Sequence, residues 1–362
     1  MQTSATIGAW LLLSAIAAIS GLGFAWLGVP AAWFLGPMMG VGLWVAWQPR
    51  QMALASWLYT IAQALVGGAM STAITPAALT VLLESWFPIL LIILLLNLAS
   101  VGAGLFLART TELDLVTAVL GTQPGGAPGM VALSEALGAD SRLVALMQSL
   151  RIMLVLGTLT LVTLLVAPAA ALPSPVLLPS AAAGWNWIAI GISTAIIGIG
   201  GWLGVRLHLP AGVLIGPAIL GMLAGLAGLP HPAPPPLLLT LAYALIGVQI
   251  GLQFDLPALH TARRILLPFT LSTLLLMGVA AGAGAVLAYR TDGDLFSGYL
   301  ATTPGGLNVV TIIALESNAN VALILTLSLL RFISIVLLSP YLIRWLQHIL
   351  PPPAPVPPTL LE

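Results

Sequence analysis

Two proline-glycine-glycine segments contain the residues best suited to bind a ligand. The first covers residues 121–129 (GTQPGGAPG), the second covers residues 302–308 (TTPGGLN), and each interrupts an apolar stretch. Glycine has no Cβ, so a ligand can approach the backbone closely at such a break. Irregular backbone at membrane depth also requires protein or water to satisfy its N–H and C=O groups. The alternative is a proline kink between packed helices, but the recurrence of the segment favours a binding site.

A short helix is predicted to begin after each break, with Pro128 at its first position in one case and Asn308 as its N-cap in the other. The free N–H groups and the positive dipole end of such a helix would face an anion. The predicted substrate-binding residues of the two breaks are Gln123, Gly125, Gly126, Thr303, Gly305, Gly306 and Asn308.

Two arginines form the second candidate set. Arg151 and Arg331 each follow a predicted helix start, Asp140 or Asn320, by 11 residues, which places them about 16 Å along the helix and near mid-membrane. A guanidinium at that depth is costly unless it is paired or hydrated, and its fork can bind both oxygens of a carboxylate. The polar residues one turn earlier on the same helix faces are Gln148 and Ser328.

Glu135 and Glu316 lie at the ends of the short helices that follow the breaks. Either glutamate could form an internal ion pair with Arg151 or Arg331, which is the structural alternative to a ligand-binding arginine. Burial would favour the protonated carboxyl group and would make these residues candidate proton carriers. At the membrane surface they would instead be ordinary helix-end charges.

The composition identifies an integral membrane protein. Of the 362 residues, 60% are hydrophobic and 6% are charged, against roughly 25% charged in soluble proteins, and the mean hydropathy is +1.12. The formal net charge is zero, so the clustered basic face of a nucleic-acid-binding protein is absent. The chain has no Cys, no His-Glu-x-x-His pattern and no phosphate-binding or nucleophile motif. The sequence therefore predicts neither an enzyme nor a metal or other cofactor.

The chain is an internal duplication with an offset of 180 residues. The offset aligns the two glycine-rich segments with each other, Gly36-Pro37 with Gly216-Pro217, and Arg151 with Arg331. We predict a first membrane repeat at 1–167, a proline-rich linker at 168–184, a second membrane repeat at 185–350 and a disordered tail at 351–362.

Each half has five apolar stretches long enough to cross about 30 Å of hydrocarbon. They lie near 7–27, 31–47, 57–74, 86–108 and 143–167, and near 187–205, 211–229, 237–253, 266–288 and 320–345. The break segments, with two arms of about 12 Å each, could cross as a broken helix or re-enter. If both segments re-enter, all the loop arginines except Arg290 lie on one side of the membrane. The positive-inside rule favours this one-sided distribution, and it places both termini in the cytoplasm.

Five spans per repeat is an odd number, so the two repeats would be inverted relative to each other, as in many secondary transporters. The predicted fold is an all-α integral membrane protein of two inverted repeats, each with five transmembrane helices plus a glycine-rich re-entrant or broken helix.

At these motifs the chain resembles the bacterial AbrB-type membrane proteins, sometimes labelled ammonia monooxygenases. The resemblance covers nearly the whole chain, through the duplicated Gly-Pro motifs and the two Pro-Gly-Gly segments with their following arginines. It implies a location in the bacterial inner membrane. The family names imply a regulator or an oxygenase, but the sequence has neither a DNA-binding charge pattern nor a copper site.

The five spans with a glycine-rich hairpin, repeated and inverted, are also similar to the sodium-coupled glutamate and 2-hydroxycarboxylate symporters. In those carriers the hairpin glycines and an arginine of the following helix hold the anion. The resemblance thus implies a site made of Gly125, Gly126, Gly305, Gly306 and Arg331, with Arg151 as the repeat mate. The chain departs from them by a proline before each glycine pair and by lacking Gly-Gly-Asn-Gly. The stretch at 206–217 also resembles cation/proton antiporters, whose helices cross at the breaks.

The function predicted from these observations is secondary transport of a small organic anion, a carboxylate, by alternating access. The coupling ion would be Na⁺ or H⁺, and the symporters imply a possible homodimer. The alternative is a membrane sensor or regulatory protein that binds a ligand or partner without transporting it.

Overall fold

The computed structural model describes residues 7–29, 31–47, 52–71, 85–125, 127–166, 187–209, 211–229, 234–252, 263–291, 293–317 and 319–349, and within these ranges the regular secondary structure is α-helical. The helices of the first half are α1 (Ile7–Trp26), α2 (Ala32–Trp47), α3 (Ser56–Ser71), α4 (Trp86–Thr110), α5 (Leu115–Thr122), α6 (Ala127–Ala136) and α7 (Ser141–Val166). Those of the second half are α8 (Trp187–Arg206), α9 (Gly212–Leu226), α10 (Pro236–Gly251), α11 (Arg263–Arg290), α12 (Leu295–Thr302), α13 (Leu307–Glu316) and α14 (Val321–Ile349). The predicted linker at 168–184 and tail at 351–362 lie outside the described residues.

The helices repeat with the same offset as the sequence. Helices α1, α3, α5 and α6 begin at residues 7, 56, 115 and 127, and α8, α10, α12 and α13 begin 180 residues later, at 187, 236, 295 and 307. The packing is exchanged between the halves: α2 contacts α10, its counterpart α9 contacts α3, and α4 contacts its own counterpart α11. The duplicated sequence therefore folds into two similar halves that pack against each other.

Glycines make the closest of these helix contacts possible. A Cβ on Gly67 of α3 would lie 2.1 Å from the carbonyl oxygen of Leu214 in α9, and a Cβ on Gly247 of α10 would lie 2.3 Å from that of Phe34 in α2. The two contacts are related by the offset of the repeat. Small residues let helix backbones approach in this way inside a membrane, where packing rather than water exclusion holds helices together.

Four helical stretches are long and apolar enough to cross a membrane: Gly8–Trp26, Trp86–Thr110, Ser141–Leu159 and Arg264–Arg290. Helix α14 provides a fifth if its two parts, which meet at a bend of 41°, form one span. Helices α2, α9 and α10 and part of α8 (Ile190–Arg206) are apolar but shorter. Helix length and composition thus establish a multi-pass membrane protein, whereas the predicted count of ten spans stays a prediction.

The outer surface is rich in large apolar side chains, as lipid contact requires. Along α1 alone, Leu11, Ile19 and Trp26 are 67%, 71% and 81% exposed. Soluble proteins rarely expose contiguous apolar surface of this kind. The buried core therefore lies between the helices, and the lipid supplies the remaining apolar environment.

Each glycine-rich segment folds as a hairpin that returns to the end where it began. The backbone N–H of Asp140, just before α7, donates to the hydroxyl of Thr117 in the first turn of α5 (2.9 Å). The equivalent bond joins the N–H of Asn320, just before α14, to the hydroxyl of Ser297 in α12 (2.7 Å). Because a straight pair of helices of these lengths would separate its ends by about 25 Å, both segments fold back on themselves as hairpins.

Candidate functional site

The first break, residues 123–125, is held by two side chains of α7. The carbonyl oxygen of Gln123 accepts hydrogen bonds from Nη1 of Arg151 (2.7 Å) and from Nε2 of Gln148 (3.0 Å). Gln148 also lies 2.9 Å from the carbonyl of Leu120. These carbonyls end α5, whose last C=O groups have no partner inside the helix. The polar face predicted for α7 is therefore directed at the tip of the hairpin.

The second break is held by a single side chain of α14. Nη1 of Arg331 donates to the carbonyl oxygen of Thr302 (2.8 Å), at the end of α12. The predicted site residue Thr303 is completely buried, and its hydroxyl has no hydrogen-bond partner among the described residues. The hydroxyl of Ser328, one turn before the arginine, is buried without a described partner too. This half thus contains two buried hydroxyl groups without a described hydrogen-bond partner.

Two threonines that were not predicted brace the hairpins. The hydroxyl of Thr122 lies 3.0 Å from the carbonyl oxygen of Ser100 in α4, and the hydroxyl of Thr302 lies 2.7 Å from that of Ala280 in α11. The two contacts are equivalent under the 180-residue offset. The repetition of threonine at 122 and 302 was the available signal. Each threonine joins its hairpin by a hydrogen bond to the long helix that precedes it in the chain. The bond fixes the position of the hairpin along that helix.

Arg151 and Arg331 are buried without a carboxylate partner. They are 1% and 2% exposed, and Nε of each has no hydrogen-bond partner in the described part of the chain. The like charges of the two guanidinium groups repel each other. The ion pair found among the described residues joins Arg264 to Glu112 at the surface (3.3 Å). The alternative of an ion pair between a buried arginine and a glutamate is therefore not realised in the described structure.

The two candidate glutamates differ in their surroundings. Glu135 is exposed, which agrees with the helix-end alternative and not with burial. Glu316 is partly buried and interacts electrostatically with Tyr243 of α10. The hydroxyl of Tyr243 is itself buried without a described hydrogen-bond partner.

The glycines of the breaks serve packing as well as backbone access. A Cβ on Gly125 would lie 2.8 Å from the side chain of Ile335 in α14, and a Cβ on Gly305 would lie 3.4 Å from that of Val155 in α7. Each hairpin tip thus contacts the long helix of the other half. A Cβ on Gly306 would meet only Val309, at 3.9 Å, so this glycine keeps an open side.

The helices after the breaks begin earlier than predicted. Helix α6 begins at Ala127, so Pro128 is its second residue rather than its first. Helix α13 begins at Leu307 with Gly306 as its N-cap, so the prediction that Asn308 is the N-cap is wrong. Proline and asparagine are favourable near the start of a helix, but the residue types alone do not decide at which residue the helix begins. The predicted site residue Gly126 lies outside the described residues.

A cavity of about 360 Å³ between α4 and α14 reaches the first break. The side-chain oxygen of Gln123 lies within hydrogen-bonding distance of the Ser339 hydroxyl, and Nδ2 of Asn97 donates to the Ser334 hydroxyl (2.8 Å). All four residues line the cavity. Asn97, Ser334 and Ser339 were missed, although polar residues inside long apolar helices were the available signal. In the described ranges, no group of three or more His, Cys, Asp or Glu residues is placed to hold a metal ion.

Comparison with known proteins places this arrangement in a family. The profile of the family described as "Transition state regulatory protein AbrB" matches residues 33–347. A protein of Escherichia coli K12 named "Putative regulator AbrB" is 34% identical over 345 residues, which cover 94% of this chain and 97% of that protein. A protein of Bacillus subtilis 168 named "Uncharacterized protein YhjN" is 22% identical over 356 residues, 92% of each chain. The chain therefore belongs to the AbrB family of membrane proteins.

Proposed function

We propose that this protein is a secondary transporter that moves a small organic anion by alternating access, with the anion bound between the two glycine-rich breaks. The observation that carries the proposal is the burial of two arginines, Arg151 and Arg331. Their like charges repel each other, and neither has a described carboxylate partner. Removing a charged group from water costs several kcal/mol even after the protein relaxes. A bound carboxylate compensates both charges at once.

The short helices α6 and α13 support the same assignment. Each is 10 residues long and begins at a break. The first N–H groups of a helix have no partner inside it, and the positive end of the helix dipole stabilises an anion. Discontinuous helices whose N-terminal ends face an anionic group are a recurrent design of secondary transporters. The arginines and the two helix ends then form one site.

The coupling ion in this proposal is Na⁺ or H⁺. Glu316 is the candidate proton carrier, because it is partly buried at the end of the short helix that follows the second break. A carboxyl group that gains a proton can cross between two accessible states without a net charge. Glu135, which is exposed, is not part of this proposal.

The membrane arrangement that accompanies this function is an inverted repeat of five spans plus one hairpin per half, in the bacterial inner membrane, with both termini cytoplasmic. Its support is that both glycine-rich segments fold back as hairpins and that the packing of the two halves is exchanged. With hairpins that do not cross, the five predicted spans per half are an odd number. A homodimer, as in the similar symporters, is part of the proposal.

Counterflow in proteoliposomes tests the proposal. Vesicles preloaded with unlabelled octanoate or succinate are expected to accumulate the labelled acid, and Arg151→Gln and Arg331→Gln are expected to abolish the accumulation. Arg290→Gln, at the exposed end of α11, is the matched control and should transport normally. Unchanged uptake in both buried-arginine variants would overturn the arginine roles.

The second candidate is a membrane sensor that binds the same anion without transport. The name of the Escherichia coli relative, a regulator, favours it. A sensor shows anion-dependent thermal stabilisation in detergent, because a ligand that binds the folded state raises its apparent stability. It shows no counterflow of the same anion, so the two measurements together separate the candidates.

A further inference from the structure

The cavity between α4 and α14 contains four polar residues in an otherwise apolar lining. Asn97, Gln123, Ser334 and Ser339 line it and are hydrogen-bonded in two pairs, Asn97 with Ser334 and Gln123 with Ser339. Gln123 and Ser339 are 3% and 1% exposed, so both are held in place by the surrounding protein. We call these four residues the polar cluster.

One acceptor of the polar cluster has no partner. Nδ2 of Asn97 donates to the Ser334 hydroxyl (2.8 Å), and that hydroxyl donates to the carbonyl oxygen of Arg331 (2.7 Å). Oδ1 of Asn97 is left buried without a described hydrogen-bond partner. Because a buried polar atom without a partner is unfavourable, this oxygen requires a hydrogen-bond donor from a bound molecule.

The polar cluster is confined to one half of the duplicated molecule. Helix α11 packs on α7 as its counterpart α4 packs on α14. At an offset of 180 residues, the counterparts of Asn97, Gln123, Ser334 and Ser339 are Met277, Thr303, Leu154 and Leu159. The equivalent packing therefore accepts apolar side chains at three of the four positions. Polar groups inside a membrane are unfavourable and tend to be functional, so the asymmetry indicates a ligand site rather than a requirement of the fold.

The depth of Asn97 and the lack of charge restrict the occupant to a neutral molecule. Asn97 lies 11 residues after Trp86, the first residue of α4, and hence about 16 Å along this span and near mid-membrane. No formally charged residue is among the described residues that line the cavity, so a charged head group would have no counter-charge. A carboxylate could not donate to Oδ1 of Asn97, and a cation would be repelled by Arg151, which donates to the backbone of Gln123.

The remaining lining is apolar and faces the lipid. The lining residues Leu98, Leu338, Tyr341 and Trp345 are 57%, 55%, 73% and 57% exposed. The cavity has a volume of about 360 Å³. At about 30 Å³ for each water-sized group, it holds about 12 non-hydrogen atoms. An occupant that enters from the bilayer therefore has a medium-length apolar chain and one small polar group.

We propose that this cavity binds a neutral lipophilic alcohol from the bilayer, with its hydroxyl donating to Oδ1 of Asn97 and its alkyl chain along the lipid-facing side chains. A hydroxyl supplies the missing donor without a net charge. The site is separate from the anion site between the two breaks, and its assignment does not depend on transport.

Photolabelling of the wild-type protein in proteoliposomes tests the assignment. The probe is a ten-carbon alcohol with a diazirine in its chain, and the labelled peptides are identified by mass spectrometry. They are expected to come from α4 and α14, and excess decanol is expected to compete. Decyl methyl ether has the same chain but no donor, so it should compete at least about tenfold more weakly. Equal competition by the ether would overturn the proposal, because the cavity would then select only an apolar chain.

Two variants replace members of the polar cluster by their counterparts in the other half. Asn97→Met and Ser339→Leu should each reduce labelling of the cavity about tenfold or more, because each removes a polar contact. Leu91→Met is the matched control: Leu91 lies on α4 as well, is 57% exposed and is not part of the cavity lining, so labelling should equal that of the wild type.

Thermal unfolding identifies which variants are folded, and Ser339→Leu serves as the test if Asn97→Met does not fold. Undiminished labelling in a folded variant of either kind would overturn the proposal. Labelling spread evenly over the lipid-exposed helices of the wild-type protein would also overturn it.

Discussion

The substitution Arg331→Gln should separate ligand binding from stability. The guanidinium is 2% exposed, makes one described hydrogen bond, to the Thr302 carbonyl (2.8 Å), and interacts with the like charge of Arg151. The change removes a charge-assisted hydrogen bond, which contributes about 1.5–3 kcal/mol. It also removes a desolvation cost of several kcal/mol and the repulsion by Arg151. The free energy of unfolding of the ligand-free protein should therefore fall by less than about 1 kcal/mol, or rise.

The effect on the liganded protein should be much larger. Truncating one partner of a buried, hydrogen-bonded charge pair costs about 2–5 kcal/mol of binding free energy. At about 1.4 kcal/mol per tenfold change in Kd, the affinity for the anion should decrease by a factor of about 30 to several thousand. Arg331→Lys keeps the charge but loses the planar fork, so its loss should be intermediate.

The assay is thermal unfolding of the purified protein in detergent, with a titration of octanoate and succinate for each variant. Arg290→Gln, which removes an exposed guanidinium, should reproduce the wild-type titration. A different outcome would refute the reasoning: a loss of several kcal/mol in the ligand-free Arg331→Gln protein together with an unchanged ligand-induced shift. That result would mean that Arg331 only caps the carbonyl end of α12.

Two more predictions concern the fold. Single cysteines can be introduced because the chain has none. Glu112→Cys and Arg142→Cys flank the first hairpin and should react with an impermeant maleimide from the same side of the membrane. Leu295→Cys lies at the start of the second hairpin and should react from the opposite side. Reaction of the first two from opposite sides would contradict re-entry, and reaction of all three from one side would contradict inversion. Gly67→Ala, whose Cβ would lie 2.1 Å from a backbone oxygen, should lower the free energy of unfolding by about 1–3 kcal/mol or more. The control Gly278→Ala meets nothing within 4 Å and should raise it by about 0.5–1 kcal/mol. Equal stability of the two glycine variants, measured by thermal unfolding, would show that the close contact is absent.

Features that depend on linear pattern were predicted from the sequence. The helix bounds follow the apolar stretches, and the duplication follows from the fixed offset of Pro-Gly-Gly and arginine. Arg151 and Arg331 were expected near mid-membrane from their positions along α7 and α14, and both are buried in the structure. These inferences succeed because hydrophobic run length and helix rise are local properties of the chain.

Features that depend on the rotation of one helix against another were not predicted. The ion pair offered as the alternative role of the arginines is replaced by hydrogen bonds to backbone carbonyls, because the hairpin tips direct α5 and α12 at α7 and α14. Gly125 and Gly305 accommodate side chains of the opposite half, Ile335 and Val155. Neither neighbour can be identified until the two repeats are packed together.

The sequence by itself determined the membrane environment, the duplicated unit, the breaks and the two arginines. Only the tertiary structure decided that each break is the tip of a hairpin. It also decided that Asn97 meets Ser334 and that Gln123 meets Ser339, across separations of 237 and 216 residues. Hydropathy and spacing fix which residues enter the membrane. The contacts among them depend on helix rotation and on glycine-permitted approach, which arise only when both halves are folded.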